Sequence, residues 1–259
     1  MDNCKGLTTP VDIGIKLVKG TKTSEYVDAS QYQSAVGSLL YLSMKTRPDI
    51  TFAVGLAARF SSNPTSQHLT AVKRIFRYLR KTTNYGLLFR KRNSKSITGF
   101  SDADWGGDVT DCKSTSGYIF QIGGTAVTWQ SKKQSCVALS TAEAEYVALS
   151  SAAQEATWLK QLNQDLQGST DPIVIYEDNQ SAISIAKNPQ FHGRVKHINI
   201  KYHFIRDQVR DNIIKLVYCE TSEMIADMLT KALGRIKFEK FREMAGVLPM
   251  PDCKSEEEC

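Results

Sequence analysis

Apolar residues recur at two different spacings along the chain, and the change in spacing separates a helical part from a part that contains strands. Between residues 32 and 81, apolar positions three and four residues apart predict three short helices joined by tight turns. From residue 96 onward, short apolar runs bounded by turn residues alternate with helical patterns. The predicted order there is β-β-β-α-β-α-α-β-α, which indicates a mixed five-stranded sheet with flanking helices. We therefore predict an α/β fold preceded by a small helical bundle.

The elements of the second part are placed by their apolar runs and turn residues. Strands are predicted at residues 97–102, 117–122, 126–130, 173–176 and 214–218. Helices are predicted at about residues 140–166, 180–187 and 198–211, and a last helix begins at residue 222. In the long helix, the spacing places Trp158 and Leu162 on the buried side.

Periodicity and charge mark four segments. Residues 1–30 have little periodicity and are predicted to be a poorly ordered leader. A hydrophilic stretch at residues 90–95 ends the helical region, residues 31–95, and precedes the α/β domain, residues 96–247. The last segment, residues 248–259, is predicted to be a disordered acidic tail.

The composition indicates a globular protein with reduced thiols and no membrane span. The chain has 259 residues and is 41% hydrophobic, which is enough for sizeable cores. No apolar run is long enough to cross a membrane, and the first residues do not form a signal peptide, so no membrane partner is expected. The six cysteines are scattered singly, which favours reduced thiols in the cytoplasm or nucleus over disulfides or zinc.

Positive charge is concentrated in the first part of the chain. Residues 1–95 carry 16 Lys and Arg against five Asp and Glu, within a net charge of +6 for the whole chain. A nucleic acid is the natural partner of such a surface. The simpler interpretation is a solvated basic surface without a partner. The candidate nucleic-acid-binding residues are Lys73, Arg74 and Arg77 on the third helix, Lys132 and Lys133 after the third strand, and Arg194, Lys196, Lys201, Arg206 and Arg210 in and before the helix at 198–211.

Two pairs of acids lie at ends of predicted elements, and the pattern leaves the choice within each pair open. Asp102 and Asp104 end the first strand, two residues apart and therefore on one face. Glu143 and Glu145 begin the long helix on either side of Ala144, so only one of them faces a given cleft. Simpler roles exist for both pairs: an acidic turn after the strand, and a capping box at the helix start.

Two further acids follow along the chain. Asp178 comes directly after the strand at 173–176, where it could also cap the next helix. Asp227 lies among apolar residues in the last helix, where an unpaired acid is rare. If the fold gathers such acids, they repel and raise one another's pKa unless cations lie between them. The sequence therefore predicts a divalent metal site.

Six short motifs occur in a fixed order along the chain. They are Gly-Phe-Ser-Asp-Ala-Asp-Trp at 99–105, Ser-Thr-Ser-Gly-Tyr at 114–118, Leu-Ser-Thr-Ala-Glu-Ala-Glu-Tyr at 139–146, Glu-Asp-Asn-Gln-Ser-Ala at 177–182, Lys-His-Ile at 196–198 and Ala-Asp-Met-Leu-Thr-Lys at 226–231. Together they resemble the ribonuclease H domain of copia-type retrotransposon Pol polyproteins. Residues 32–89 are similar to the thumb and connection that follow the reverse-transcriptase palm in those polyproteins.

The resemblance implies a ribonuclease H-like fold and selects Asp102 and Glu145 from the two ambiguous pairs. With Asp178 and Asp227 they would form a catalytic quartet that holds two Mg²⁺ (or Mn²⁺) ions. The implied reaction is endonucleolytic hydrolysis of the RNA strand of an RNA–DNA hybrid, whose shallow minor groove displays 2′-hydroxyl groups. Cellular ribonucleases H carry a histidine before the last aspartate, whereas residues 219–226 contain none.

The same resemblance implies further partners and limits. The reverse-transcriptase palm of the parent polyprotein is an implied partner, and the virus-like particle of the retroelement is an implied location in the cytoplasm or nucleus. The chain lacks the paired-aspartate turn of a polymerase palm, so no polymerase activity is expected.

Two other functions compete with hydrolysis. A catalytically silent or host-retained fragment could serve only to bind nucleic acid through the basic bundle. Residues 77–80, Arg-Tyr-Leu-Arg, also match the Arg-x-Leu-Arg tag of secreted oomycete effectors, although the amphipathic pattern of the third helix explains the same residues.

Overall fold

The protein is described by a computed structural model. The described residues are 4–91, 96–187 and 196–251, and the side chains of residues 196–202 are excepted. No helix within these ranges is long and apolar enough to cross a membrane.

The first part is a helical bundle, as the spacing of apolar residues predicts. Helix α1 is Ala29–Lys45, a 3-10 helix spans Pro48–Ile50, α2 is Thr51–Ala58 and α3 is Ser66–Lys81. The Asp28 side chain accepts the Ser30 N–H at 2.8 Å and so caps α1.

The second part contains the mixed five-stranded sheet, and all five predicted strands are present. Its strands are β2 Ile97–Asp104, β3 Thr115–Ile122, β4 Thr125–Lys133, β5 Ile173–Glu177 and β6 Ile214–Tyr218, in the spatial order β4-β3-β2-β5-β6. Strands β2, β3 and β4 are antiparallel neighbours, whereas β2, β5 and β6 run parallel. The helices are α4 Thr141–Gln167, α5 Gln180–Lys187, α6 Lys196–Arg210 and α7 Arg235–Met244. Because parallel strands need crossovers, α4 connects the meander to β5.

Each face of the sheet has its own apolar core. On one face, α4 packs through Tyr146, Leu149 and Ala153 against Phe120 and Ile175. The other face packs against the helical bundle, a second 3-10 helix at Ile225–Leu229, and α7. The bundle and the sheet therefore share one hydrophobic core, although the sequence divides them at residue 95.

The last predicted helix differs from the structure. The residues after Ser222 form a turn and then the 3-10 helix Ile225–Leu229, and α7 begins only after Gly234. This 3-10 helix is buried on all sides, so tertiary packing fixes its conformation. Two of the expected buried residues of α4 also differ: Trp158 is 58% exposed and Leu162 is 38% exposed. Ala156 and Leu159 nearby are buried, so the buried side of α4 is rotated from the predicted one.

The chain termini differ from their predictions as well. Residues 4–28 lie along the bundle instead of being poorly ordered, because Leu17 is buried and Tyr26 forms a β-bridge with Thr65. At the other end, β7 Val247–Pro249 pairs antiparallel with β1 Tyr85–Leu87. Residues 252–259 of the predicted acidic tail lie outside the described residues.

Candidate metal centre

Asp102 and Asp178 are brought side by side by the parallel pairing of β2 and β5. The last paired residues of these strands are Phe100 and Tyr176, and each acid lies two residues further along its own strand direction. The carboxyl ends of parallel strands meet at one edge of a sheet, which is where ligands bind in open α/β folds. The Asp102 side chain is 1% exposed, and Asp178 is half-buried.

Glu145 is directed to the same edge by the start of α4. Ser140 caps the helix by accepting the Glu143 N–H at 3.2 Å, and the Glu143 carboxylate accepts the Leu139 N–H at 2.8 Å. Glu143 therefore stabilises the helix end. Glu145, half a turn later, is only 7% exposed.

The structure brings Asp102, Glu145 and Asp178 together as one cluster. Each offers one carboxylate oxygen, and these oxygens all lie within 4.8 Å of one another. Burial and the neighbouring carboxylates raise the pKa of Asp102 to about 7 and that of Glu145 to about 11. One oxygen of Glu145 has no hydrogen-bond partner among the described residues. A cluster of this kind, with oxygen ligands only, suits a hard divalent cation such as Mg²⁺.

Asp227 adjoins this cluster but is held by lysines. It is fully buried, and its two oxygens lie 2.7 Å from Nζ of Lys231 and 2.5 Å from Nζ of Lys237. The same Lys231 ammonium lies 3.8 Å from Asp102, whose carboxylate also accepts the Thr230 hydroxyl. The carboxylates of Asp102 and Asp227 raise the pKa of Lys231 against the effect of its burial. The Lys231 ammonium therefore lies between Asp227 and the carboxylate cluster.

Asp104 does not belong to the cluster of Asp102, Glu145 and Asp178. Its carboxylate occupies the space that a side chain at residue 107 would need, so a glycine is required there. Burial raises its pKa, while the nearby cations Lys231 and Arg59 lower it. The side chain of this last residue of β2 therefore packs against the loop that follows the strand.

Sequence reasoning missed a fifth acid, Glu177. This side chain is fully buried at the end of β5, and burial together with Asp102 and Asp178 raises its pKa well above the ordinary value. One of its oxygens accepts the Asn179 N–H at 3.3 Å, and the other has no partner in the described part of the chain. The signal was present in the sequence, because the two-residue period of β5 places Glu177 on the same face as Ile173 and Ile175.

The predicted cations of α3 face the N-terminal segment. Arg74 binds Asp12 at 2.6 Å and Thr9 at 3.0 Å, and Arg77 donates to the Lys5 carbonyl at 2.8 Å. Lys73 on the same helix is exposed. Two of the three candidate phosphate contacts are therefore covered in this structure.

The remaining predicted cations are distributed over the second part. Lys132 is exposed at the end of β4, and Lys133 is bound by Asp108 at 2.5 Å and Asp111 at 2.7 Å. Arg206 donates to the Ile185 carbonyl, and Arg210 pairs with Asp207 and Asp211. Arg194 and the side chains of Lys196 and Lys201 lie outside the described residues.

Comparison with known proteins shows long matches to transposon polyproteins. The sequence matches no family profile. The retrovirus-related Pol polyprotein from transposon TNT 1-94 of Nicotiana tabacum is 45% identical over 252 residues, which are 95% of this chain and 19% of that polyprotein. The retrovirus-related Pol polyprotein from transposon RE1 of Arabidopsis thaliana is 43% identical over 254 residues, which are 97% of this chain and 17% of that polyprotein. The chain therefore spans less than a fifth of the length of these relatives.

A shorter relative and a solved structure also match. The secreted RxLR effector protein 161 of Plasmopara viticola is 52% identical over 128 residues, which are 49% of this chain and 90% of that protein. The crystal structure of LC11-RNase H1 in complex with RNA/DNA hybrid covers 52% of this chain and 94% of its own chain, at 14% identity and a TM-score of 0.38. By these identities, the chain belongs to one sequence family with these relatives, that of the copia-type retrotransposon Pol polyproteins.

Proposed function

We propose that the chain hydrolyses the RNA strand of RNA–DNA hybrids endonucleolytically and in a metal-dependent manner, as the ribonuclease H portion of a copia-type Pol polyprotein. The observation that carries this proposal is the approach of the Asp102, Glu145 and Asp178 oxygens to within 4.8 Å of one another. Buried carboxylates placed this close repel one another, which destabilises the metal-free protein unless a cation binds.

The residues present fit Mg²⁺ or Mn²⁺. All donors are carboxylate oxygens, and the unpartnered oxygen of Glu145 leaves a position for a ligand bond. Asp102, Glu145 and Asp178 would hold one ion. A second ion between Asp102 and Asp227 would have to displace the Lys231 ammonium, which lies near both carboxylates. Divalent ions at such a site supply an activated water and neutralise the charge that develops on a scissile phosphate.

Neighbouring side chains would orient the carboxylates of this centre and compensate their charge. The Thr230 hydroxyl and the Lys231 ammonium fix the Asp102 carboxylate in one orientation. Lys231 and Lys237 compensate the charge of Asp227, which has no other ion-pair partner among the described side chains. In a substrate complex, Lys231 would also be placed to neutralise phosphate charge.

The hybrid as substrate is supported by the motifs and by surface charge. Three of the six motifs that carry the resemblance supply the clustered acids. Lys132 lies at the same end of the sheet as Asp102, because Ala103 pairs with Ser116 and Ser116 with Lys132. A lysine at that position suits a phosphate of the bound duplex.

The test is incubation of the purified chain with a hybrid labelled on the RNA strand, with Mg²⁺, with Mn²⁺ or with EDTA. We expect metal-dependent internal cleavage of the RNA strand, which Asp178→Asn abolishes. The matched control is Asp104→Asn, which removes a charge at the same end of the sheet from a side chain outside the cluster and should retain cleavage. Binding of the hybrid without cleavage under all conditions would instead favour a nucleic-acid-binding fragment.

A secreted effector role is the second candidate, favoured by the identity to the Plasmopara viticola protein. Within this fold, however, Tyr78 of the Arg-x-Leu-Arg tag is fully buried and donates to Asp49 at 2.6 Å. Arg77 and Arg80 also bind backbone carbonyls of the N-terminal segment. These contacts explain the tag as part of the bundle. Detection of the native protein in the culture medium of its source organism would support the effector role, and its retention in cells would oppose it.

A further inference from the structure

We infer that Trp105 binds the substrate by packing its indole face against a sugar ring of the hybrid next to the carboxylate centre. This inference rests on the proposed function and names a residue that would set the position of the nucleic acid strand. Trp105 is therefore assigned as a positioning contact and takes no part in the reaction itself.

Trp105 is close to the centre and open to solvent. It follows β2 directly and is three residues from Asp102, which corresponds to a backbone distance of about 10 Å. Its side chain is 51% exposed. A duplex whose scissile phosphate lies at the carboxylates would reach this ring within a few nucleotides.

The ring is held in a fixed orientation. Its Nε1–H donates to the Ala138 carbonyl at 3.1 Å. The loop that carries Ala138 is itself anchored, because Gln134 donates to the Ala144 carbonyl at 2.9 Å and the Leu139 N–H is bound by Glu143. An aromatic side chain that is fixed before binding loses little conformational entropy when a ligand packs on it.

The surroundings of Trp105 favour a nucleotide over an apolar partner. The same loop exposes Val137 at 48% and Leu139 at 78%, so the rim is locally apolar. The carboxylate centre lies on one side, and the exposed Lys132 lies at the same end of the sheet, two strands from Ala103. Nucleic acids present apolar faces and phosphates in alternation, which matches an exposed aromatic ring and a lysine at the same end of the sheet.

A sugar is the part of the duplex that such a ring can contact. In a paired hybrid the bases are stacked, whereas the sugars line a wide and shallow minor groove. The simpler alternative is that Trp105 only anchors the loop of Ala138 through its hydrogen bond. That bond engages the indole N–H, whereas half of the side chain remains exposed.

The experiment compares Trp105→Ala, Trp105→Phe and Trp158→Ala. Binding of hybrid is measured in the Asp178→Asn background with Mg²⁺, and steady-state kinetics are measured in the otherwise unchanged chain. Trp158 is the matched control because it is 58% exposed and lies about 20 Å from Glu145 along α4. Circular dichroism and thermal unfolding verify that each variant folds.

We expect Trp105→Ala to weaken hybrid binding about tenfold, and Trp105→Phe to retain most of the affinity although it also lacks the Nε1–H. The loss should appear in KM and not in kcat, because the ring acts on binding. Titration with hybrid should quench tryptophan fluorescence in the Trp158→Phe variant and not in Trp105→Phe.

Three results would overturn the inference. Folded Trp105→Ala that binds hybrid as tightly as the unchanged chain excludes the contact while the proposed function stands. An equal loss for Trp105→Ala and Trp158→Ala shows a nonspecific effect of removing an indole. If the unchanged chain neither binds nor cleaves hybrid, the proposed function fails and the inference with it.

Discussion

Lys231 and Asp227 form an ion pair beside the carboxylate cluster, with Nζ 2.7 Å from Oδ1. The pair explains why an acid can lie in the buried, mostly apolar 3-10 helix Ile225–Leu229. It also places a fixed positive charge between two groups of carboxylates, since the same ammonium lies 3.8 Å from Asp102. The metal-free protein thus carries part of its own charge compensation.

Substitution of this lysine should destabilise the metal-free protein. Lys231→Met removes the shared cation and leaves Asp227 with Lys237 alone. We expect a loss of about 1–2 kcal/mol in the free energy of unfolding, less than for a fully buried pair because the Lys231 side chain is 37% exposed. Urea denaturation in EDTA measures this loss. Lys240→Met, which removes an exposed pair with Glu223, is the control and should change stability by less than about 1 kcal/mol. Equal stability of Lys231→Met and the unchanged chain would contradict the assigned role.

The stability of the metal-free protein should fall as pH rises from about 4 to about 7. In this range the folded state keeps a proton on Asp102 that the unfolded state has released. The pKa of Asp102 is raised from 3.8 to about 7. Between these values the unfolded chain has released the proton and the folded chain retains it, so each pH unit costs at most about 1.4 kcal/mol from this group. The raised pKa of Glu145 acts in the same direction.

This pH dependence is measured as the midpoint of thermal unfolding in EDTA. We expect a decline from pH 4 toward pH 7 that is reduced in Asp102→Asn, and a rise in the midpoint on addition of Mn²⁺ that is larger at pH 7 than at pH 5. Asp165→Asn, at an exposed position on α4, serves as the control. A pH dependence in Asp102→Asn as steep as that of the unchanged chain would contradict the raised pKa of Asp102.

The bundle contains a buried ion pair whose loss should unfold both parts of the chain together. Asp49 receives two hydrogen bonds from Arg47, at 2.9 and 2.8 Å, and one from Tyr78 at 2.6 Å. Asp49→Ala leaves the guanidinium buried without its counterion and should cost about 3–5 kcal/mol. Because the bundle and the sheet share one core, calorimetry should show one unfolding transition at a lower temperature. Glu239→Ala, which removes an exposed pair with Arg235, is the control, and two separate transitions would contradict the shared core.

Much of the fold could be predicted because local patterns determine it. The five strands of the sheet are bounded by turn residues, and their order follows from short connections and crossovers. The acids at strand ends could be placed for the same reason, since parallel β2 and β5 must end at one edge and so bring Asp102 and Asp178 together. For Glu145 the helical period left Glu143 open, and only the capping contacts of Glu143 distinguish the two.

The rest depends on contacts between distant residues. Strands β1 and β7 are three residues long and separated by the whole α/β part, so neither has a sequence signal of its own. Lys237, one of the two lysine partners of Asp227, is placed by the packing of α7 against the 3-10 helix, which no periodicity encodes. The buried stripe of α4 runs through Leu149, Ala156 and Leu159, and Trp158 lies on the opposite side of the helix, so the predicted stripe was wrong at this residue.

The N-terminal segment should weaken nucleic acid binding by the bundle. The guanidinium of Arg74 forms an ion pair with Asp12 and a hydrogen bond with Thr9, and the guanidinium of Arg77 donates to the Lys5 carbonyl. Deletion of residues 1–12 removes these contacts and also the Cys4 carbonyl that accepts from Arg80. We therefore expect tighter binding to hybrid and a salt dependence steeper by about 0.9 per additional phosphate contacted. Fluorescence anisotropy at several salt concentrations measures both quantities. Substitution of all three arginines by alanine in the deletion variant should restore the original slope.

The deletion also removes Val11, which is buried. The full-length variant Asp12→Asn with Thr9→Ala frees Arg74 without truncation and should give part of the same change. An unchanged slope in both would show that these arginines do not meet phosphate even when uncovered.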